Sequence, residues 1–223
     1  LQIILNPVYG QKKTADTTLK AILIIGRKIS EPASAIEKMD KIADLLTKNR
    51  VKVYKFYYNN ANWQNIIKVS KDCSFFIYYG HGGRLGDDNN FGGFFINTDI
   101  TASQILSELK LKENALVIFK SVCGGAGFSA DDVSDIGIDE AKKRVSSYAS
   151  PFFKIGAAAY YANNISDGVY GFLYDFLNGT PLKQAYLNSN ISWSKIEFEE
   201  PFSADKSKFF SIASIDGIYK SSS

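Results

Sequence analysis

Cys73-Ser74-Phe75-Phe76-Ile77-Tyr78-Tyr79-Gly80-His81-Gly82-Gly83 is the stretch on which the reading of this chain turns. From Cys73 to Tyr79 it is almost continuously apolar and aromatic, as a strand covered on both faces should be. The run stops at Gly80, and the next residue is the one histidine among 223 residues.

Working outward, the same pattern recurs. Ala21-Ile22-Leu23-Ile24-Ile25-Gly26 is another apolar run ending in glycine, and Val51 to Tyr58 reads as a second strand. Between them Ser30 is placed to cap a helix with Pro32 in its first turn. Ile36, Met39, Ile42, Ala43 and Leu46 follow at helical spacing up to about Arg50. Trp63 to Val69 predicts a short helix before the Cys73 strand. Beyond His81, Asp87-Asp88-Asn89-Asn90 and Phe91 to Ile96 predict a turn and a small β-hairpin. Thr101 or Ser103 can start a helix through Leu109.

Ala115 to Val122 predicts a fourth buried strand, and it runs into Cys123-Gly124-Gly125. A polar helix near Ile138 to Tyr148, a fifth strand over Ile155 to Ala162 and a helix over Gly168 to Leu177 come next. Gly179-Thr180-Pro181 stops that helix and starts another through about Leu187. Phe209 to Tyr219 predicts an edge strand. Strands separated by helices imply parallel βαβ units. The expected fold is therefore a three-layer α/β/α sandwich on a mostly parallel sheet of about six strands. Residues 20–223 are read as a single domain, with 1–19 as an extension packed on it.

Composition narrows the function. Apolar residues make up 45% of the chain and charged residues 22%, ordinary for a globule with a real core. A net charge of +3, with the 26 basic residues scattered, argues against nucleic acid as a partner. No apolar stretch approaches the roughly 20 residues of a membrane span. Two cysteines, Cys73 and Cys123, are too few for a disulfide scaffold and lack zinc spacing. Leu1 is not an initiator methionine, which leans toward a processed or trimmed start and so toward export; the compartment stays open.

His81 and Cys123 carry the chemistry. In an open parallel sheet, ligands bind beyond the carboxyl ends of the strands. Each residue lies just past such an end, and each is followed by glycines. An ordinary thiol is only a few per cent thiolate at neutral pH, so a nearby imidazole acting as base would matter. Gly82 and Gly124 leave backbone N–H groups unobstructed, able to hold the oxyanion of an acyl-transfer intermediate. Taken singly, a histidine between glycines is a turn residue and a strand-end cysteine is a small buried hydrophobe. Together, on consecutive strands, they read as a nucleophile and its base, with Cys73 a structural thiol at the opposite edge.

These blocks, Phe75 to Gly83 and Leu116 to Gly125, resemble the two signatures of the caspase-like cysteine peptidases. That clan includes caspases, metacaspases, legumain, clostripain, gingipains, separase and CHAT domains. The resemblance runs from about Lys20 to Leu187, and the segment from Phe172 through Gly179-Thr180-Pro181 to Ala185 is similar to the end of CHAT-type and gingipain-type domains. It implies that Cys123 attacks the carbonyl, that His81 protonates the leaving amine, and that Gly82 and Cys123 supply oxyanion N–H groups. It implies a polypeptide substrate, a propeptide or regulatory partner, and no cofactor or metal for the chemistry, calcium being an unsupported addition.

Specificity is less legible. Caspases have Gln-Ala-Cys, and several Arg/Lys-specific relatives carry an acidic residue two before the cysteine; here that position is Ser121, closer to CHAT domains. The 42-residue separation of His81 and Cys123 also differs from the caspase spacing of about 50. Asp167, after the fifth strand, is the preferred acidic pocket candidate for a basic P1 side chain. Lys142-Lys143-Arg144 would then be a self-cleavage site. Arg27, past the first strand, would reverse the preference toward an acidic P1, and Tyr160 approaches the same edge. Asp87, Asp88, Asp131, Asp132 and Asp135 read as loop aspartates making turns.

Three rivals stand beside the peptidase. One is a catalytically silent or partner-gated binding domain of CHAT type. Another is an acyl hydrolase with the same dyad. The third is a flavodoxin-like or receiver-like domain, which Arg27-Lys28-Ile29-Ser30 opposes: it has no glycine-rich phosphate cradle, and the first strand has no acidic end.

Overall fold

Apolar runs that alternate their side chains between two helical layers organise the structure. It is a computed structural model describing residues 18–27, 29–85, 90–127, 129, 132, 134, 136–163, 168–189, 195–199 and 210–214. The strands are β1 (Lys20–Ile25), β2 (Lys52–Tyr57), β3 (Cys73–Tyr79), β4 (Gly82–Leu85), β5 (Asn90–Phe95), β6 (Asp99–Ile100), β7 (Leu111–Lys120), β8 (Ala159–Asn163), β9 (Lys195–Glu199) and β10 (Phe210–Ser214). The α-helices are α1 (Pro32–Lys48), α2 (Trp63–Ser70), α3 (Ala102–Glu108), α4 (Gly137–Lys154), α5 (Gly168–Leu177) and α6 (Leu182–Asn188).

The main sheet has seven strands in the order β2-β1-β3-β7-β8-β10-β9. All of its pairings are parallel except that of β9 with β10. A separate antiparallel sheet, β4-β5-β6, stands beyond β3 in the chain, where the sequence predicts a hairpin. Phe210–Ser214 is not the edge strand expected of the C-terminal segment: it pairs with β8, and β9 takes the edge. Of the predicted N-terminal extension, residues 1–17 lie outside those described.

Period-two alternation explains both cores. Ile22, Ile24, Phe76, Tyr78, Val117, Phe119, Tyr160 and Ala162 belong to one buried cluster, with residues of α2, α3 and α4. Ala21, Leu23, Ile25, Phe75, Ile77, Leu116, Ile118, Ala159 and Tyr161 belong to the other, with α1, α5 and α6. That is the three-layer sandwich. Phe119 is the hub of the first face: the rings of Tyr78, Phe94, Phe152 and Tyr160 lie 5.3–5.7 Å from its own.

Several boundaries differ from the sequence reading, each for a physical reason. Glu31, not Ser30, precedes α1, with no side-chain cap, and Pro32 begins the helix because its missing N–H costs nothing there. Thr101 caps α3 through a reciprocal capping box with Gln104, resolving the choice between Thr101 and Ser103. α4 continues past Tyr148 despite Pro151, because Phe152 buries fully between Phe76 and Phe119. It ends at Lys154, and the chain turns away at Gly156 (φ +97°), where the Ala157 and Gly156 amides donate to the Phe152 and Phe153 carbonyls. That turn consumes residues that the sequence assigns to the fifth strand, so β8 starts at Ala159.

Candidate active site at the carboxyl edge of the sheet

The carboxyl ends of β3 and β7 set the site. The two strands are hydrogen-bonded neighbours, in register to Tyr79 opposite Lys120. His81 lies two residues beyond that pair and Cys123 three, so both stand on loops leaving the same edge. β1 flanks β3 on the other side, as expected. Arg27 is exposed in the bend after β1, and the backbone of His81 is tied to the small sheet through the Phe95 amide (3.3 Å).

Buried tyrosine hydroxyls hold these loops by their backbone oxygens. The single proton of Tyr78 Oη is shared between the carbonyls of Phe95 (2.7 Å) and His81 (2.9 Å). Tyr148 Oη, from α4, bridges the two loops, reaching the carbonyls of Gly83 (3.2 Å) and Cys123 (3.0 Å). Tyr160 Oη, from β8, donates to the carbonyl of Gly125 (3.1 Å). Burial pushes the Tyr78 and Tyr160 phenols well above their usual range, so they stay neutral donors. The glycines make this packing feasible: a Cβ at Gly82 would collide with the Cys123 carbonyl and Tyr148 Oη, and one at Gly80 with Tyr78 Oη. The backbone immediately after His81 therefore abuts Cys123.

On the nucleophile side, the chain leaves β7 through Ser121, in the left-handed region at φ +54°. Fully buried Asn163, at the end of β8, clamps this turn: its Oδ1 accepts from the Ser121 amide (3.1 Å), and its carbonyl accepts from the Val122 amide (3.3 Å). Gly124 (φ +77°) continues the turn, and the Gly125 amide is already spent on the Val122 carbonyl (2.9 Å). Further along, Arg144 of α4 closes the loop. Its Nη1 holds both Asp132 oxygens (2.9 and 2.7 Å) and the Gly127 carbonyl (3.2 Å), while its Nε donates to Glu140 (3.0 Å).

Among the expected site residues, His81 is exposed and Cys123 half-buried, on adjoining loops. Gly82 and Gly124 flank them. Ser121 is a half-buried turn residue with its amide committed to Asn163. Tyr160 is fully buried and supports Gly125 from within the core, so it is not the wall of an open pocket. Asp167 lies outside the described residues, as do Asp87, Asp88, Asp131 and Asp135. Asp132 is a partner of Arg144, which is 8% exposed inside α4. Lys142-Lys143-Arg144 is therefore helical and partly buried, not the extended segment a self-cleavage site requires. Cys73 opens β3 at the far edge, buried, its thiol donating to the Val69 carbonyl (3.2 Å). Among the described residues no three His, Cys, Asp or Glu side chains gather as a metal site, and no helix is long and apolar enough to cross a membrane.

Sequence reasoning missed Tyr148, Asn163 and the Arg144 clasp. The first was within reach: Ala141, Val145, Tyr148, Ala149 and Phe152 form a buried helical stripe.

No family model and no curated protein matches the chain. Among solved structures it is similar to a short-chain flavodoxin associated with a non-canonical PDU bacterial microcompartment, at 13% identity and a TM-score of 0.40, over 75% of this chain and 99% of that one. It is also similar to the Drosophila initiator caspase Dronc, at 10% identity and a TM-score of 0.30, over 53% of this chain and about half (52%) of that one. Likenesses this distant decide nothing between the two activities.

Proposed function

We propose that this protein is a cysteine peptidase in which His81 and Cys123 form the catalytic dyad. The observation that carries the reading is the meeting of two loops at neighbouring strand ends: Gly82 packs on the Cys123 carbonyl, and Tyr148 bridges Gly83 to Cys123.

In this reading His81 takes the Cys123 proton, and the thiolate attacks the scissile carbonyl of a bound polypeptide. The amides of Gly82, Cys123 and Gly124 are the candidate donors to the oxyanion. Collapse of the intermediate breaks the C–N bond, His81 returns its proton to the leaving amine, and a thioacyl-enzyme remains. Water, deprotonated by His81, then releases the acid and restores the thiol. Asp167 is the proposed partner of a basic P1 side chain, since a guanidinium pairs bidentately with a carboxylate. Arg27 is the alternative determinant, for an acidic P1.

The strand order β2-β1-β3-β7-β8 is also that of flavin-binding doubly wound domains, which use the crevice between the first and third strands. Here a Cβ at Gly26, at that crevice, would collide with the Phe95 carbonyl and Tyr78 Oη, and the sequence beyond it, Arg27-Lys28-Ile29-Ser30, carries no glycine-rich phosphate motif. This favours the peptidase.

Peptidyl acyloxymethyl ketones bearing P1 Arg, Lys, Asp or Asn test the proposal, read by intact mass and peptide mapping. Stoichiometric labelling of Cys123 is expected, fastest with Arg or Lys. Preference for Asp would transfer the pocket to Arg27. No labelling by any probe would favour the partner-gated binding domain.

A further inference from the structure

Asn163 ends β8 in register with Lys120, the last residue of β7, and is fully buried. A carboxamide removed from water destabilises the fold unless it is hydrogen-bonded. Here both oxygens of the residue are turned on one short turn. Its Oδ1 accepts from the Ser121 amide (3.1 Å) and its carbonyl from the Val122 amide (3.3 Å), so one residue of the next strand holds the two peptides that lead into Cys123. Serine at φ +54° is uncommon, and such a conformation persists where its neighbours over-determine it.

The carbonyls that follow are held from inside the protein. That of Val122 accepts from the Gly125 amide (2.9 Å), and that of Cys123 from Tyr148 Oη (3.0 Å). The Gly124 carbonyl accepts from the Gly127 amide (2.9 Å), and that of Gly125 from Tyr160 Oη (3.1 Å). A trans peptide is planar, so the N–H of one residue points away from the carbonyl of the residue before it. With the Val122 and Cys123 carbonyls turned inward, the Cys123 and Gly124 amides point the other way. Among the described residues these two amides donate to no acceptor, whereas those of Ser121, Val122, Gly125 and Gly127 all do. Two adjacent N–H groups beside a nucleophile are what a developing oxyanion needs.

We infer that Asn163 is a positioning residue for acyl transfer: it anchors the start of the turn at Ser121 and Val122, so that the Cys123 and Gly124 amides are presented together to a substrate oxygen. This rests on the peptidase reading of His81 and Cys123. Asn163 acts through the backbone of the turn.

Hydrolysis and alkylation of the same thiol separate this role from a structural one. In hydrolysis the sulfur–carbon bond forms as the carbonyl oxygen gains negative charge. Iodoacetamide is attacked at its methylene carbon with loss of iodide, and no oxyanion develops. On the whole chain, Asn163→Ala and Asn163→Leu are expected to lower kcat for a peptide amide about 10²-fold with KM little changed. Cys123 should still react with iodoacetamide within about twofold of the wild-type rate and with the wild-type pH profile. Asn163→Asp keeps an oxygen for the Ser121 amide and should regain about tenfold or more of the lost kcat. Unchanged kcat in a folded Ala or Leu variant would overturn the inference. So would equal losses of hydrolysis and alkylation, which make Asn163 a structural support alone. Should neither variant fold, Asn163→Asp decides: kcat within about tenfold of wild type supports the inference, and a larger loss overturns it. Wild type that neither hydrolyses peptides nor is labelled at Cys123 would fail the peptidase reading, and this inference with it.

Discussion

The two cysteines mark the two ends of the sheet, and the ends differ in kind. Cys73, at the amino end, is buried, donates its thiol to Val69 and is pushed by burial from an ordinary value of about 9 up to about 11. Cys123, at the carboxyl end, is half-buried on a glycine turn whose carbonyls are held from below by tyrosine hydroxyls. A parallel strand ends in a tight connection at one side and in an open loop at the other. The same side chain is thus inert filler at one end and a candidate nucleophile at the other.

The widest contrast should be in catalysis. Cys123→Ala is expected to lower hydrolysis of a cleavable peptide by about 10⁴-fold or more, while Cys73→Ala leaves kcat/KM within about twofold. Equal loss in both, with circular dichroism unchanged, would break the comparison.

Packing under the carboxyl end comes next. Phe119→Ala removes the ring around which Tyr78, Phe94, Phe152 and Tyr160 gather, and should cost about 3–5 kcal/mol in urea unfolding. A loss below about 1 kcal/mol would show that the ring cluster does not support this edge.

Tyr148→Phe deletes only the hydroxyl that spans Gly83 and Cys123. Stability should fall by about 1–2 kcal/mol, with kcat falling more than KM rises because the loops lose their mutual placement. Unchanged kcat with the same stability loss would make Tyr148 a structural prop alone.

The smallest effect separates the thiols by pH. Cys73 ionises more readily unfolded than folded, so its contribution to stability is intact below about pH 9 and is lost as pH rises toward about 11. Across that window Cys73→Ala should lose less stability with pH than the wild type in denaturant titrations. Parallel slopes would mean that the Cys73 thiol is not perturbed.

Much of this was readable from sequence because strand burial and helix periodicity are local. Cys73–Tyr79 and Gly168–Leu177 match their sequence ranges, since an apolar run ending in glycine and a helix stopped by Gly179 leave little choice. β7 begins before the predicted Ala115, and its start is not legible because Lys112-Glu113-Asn114 is polar and irregular, with Asn114 at φ +64° and a register shift opposite Cys73. The positions of His81 and Cys123 beyond adjacent strands followed from strand order. What holds them did not: Tyr148 and Asn163 act on backbone atoms 25 and 42 residues away, and Arg144 on the Gly127 carbonyl and the Asp132 carboxylate 17 and 12 residues away, and such contacts leave no periodic trace.

The pairing of His81 with Cys123 is the central claim, and inactivation by a P1-matched peptidyl acyloxymethyl ketone between pH 5 and 9 tests it most directly. Wild type should react through Cys123, and His81→Ala should react about 10²–10⁴-fold more slowly at neutral pH, with a differently shaped pH profile. Equal rates and superimposable pH profiles in the two proteins would contradict the dyad.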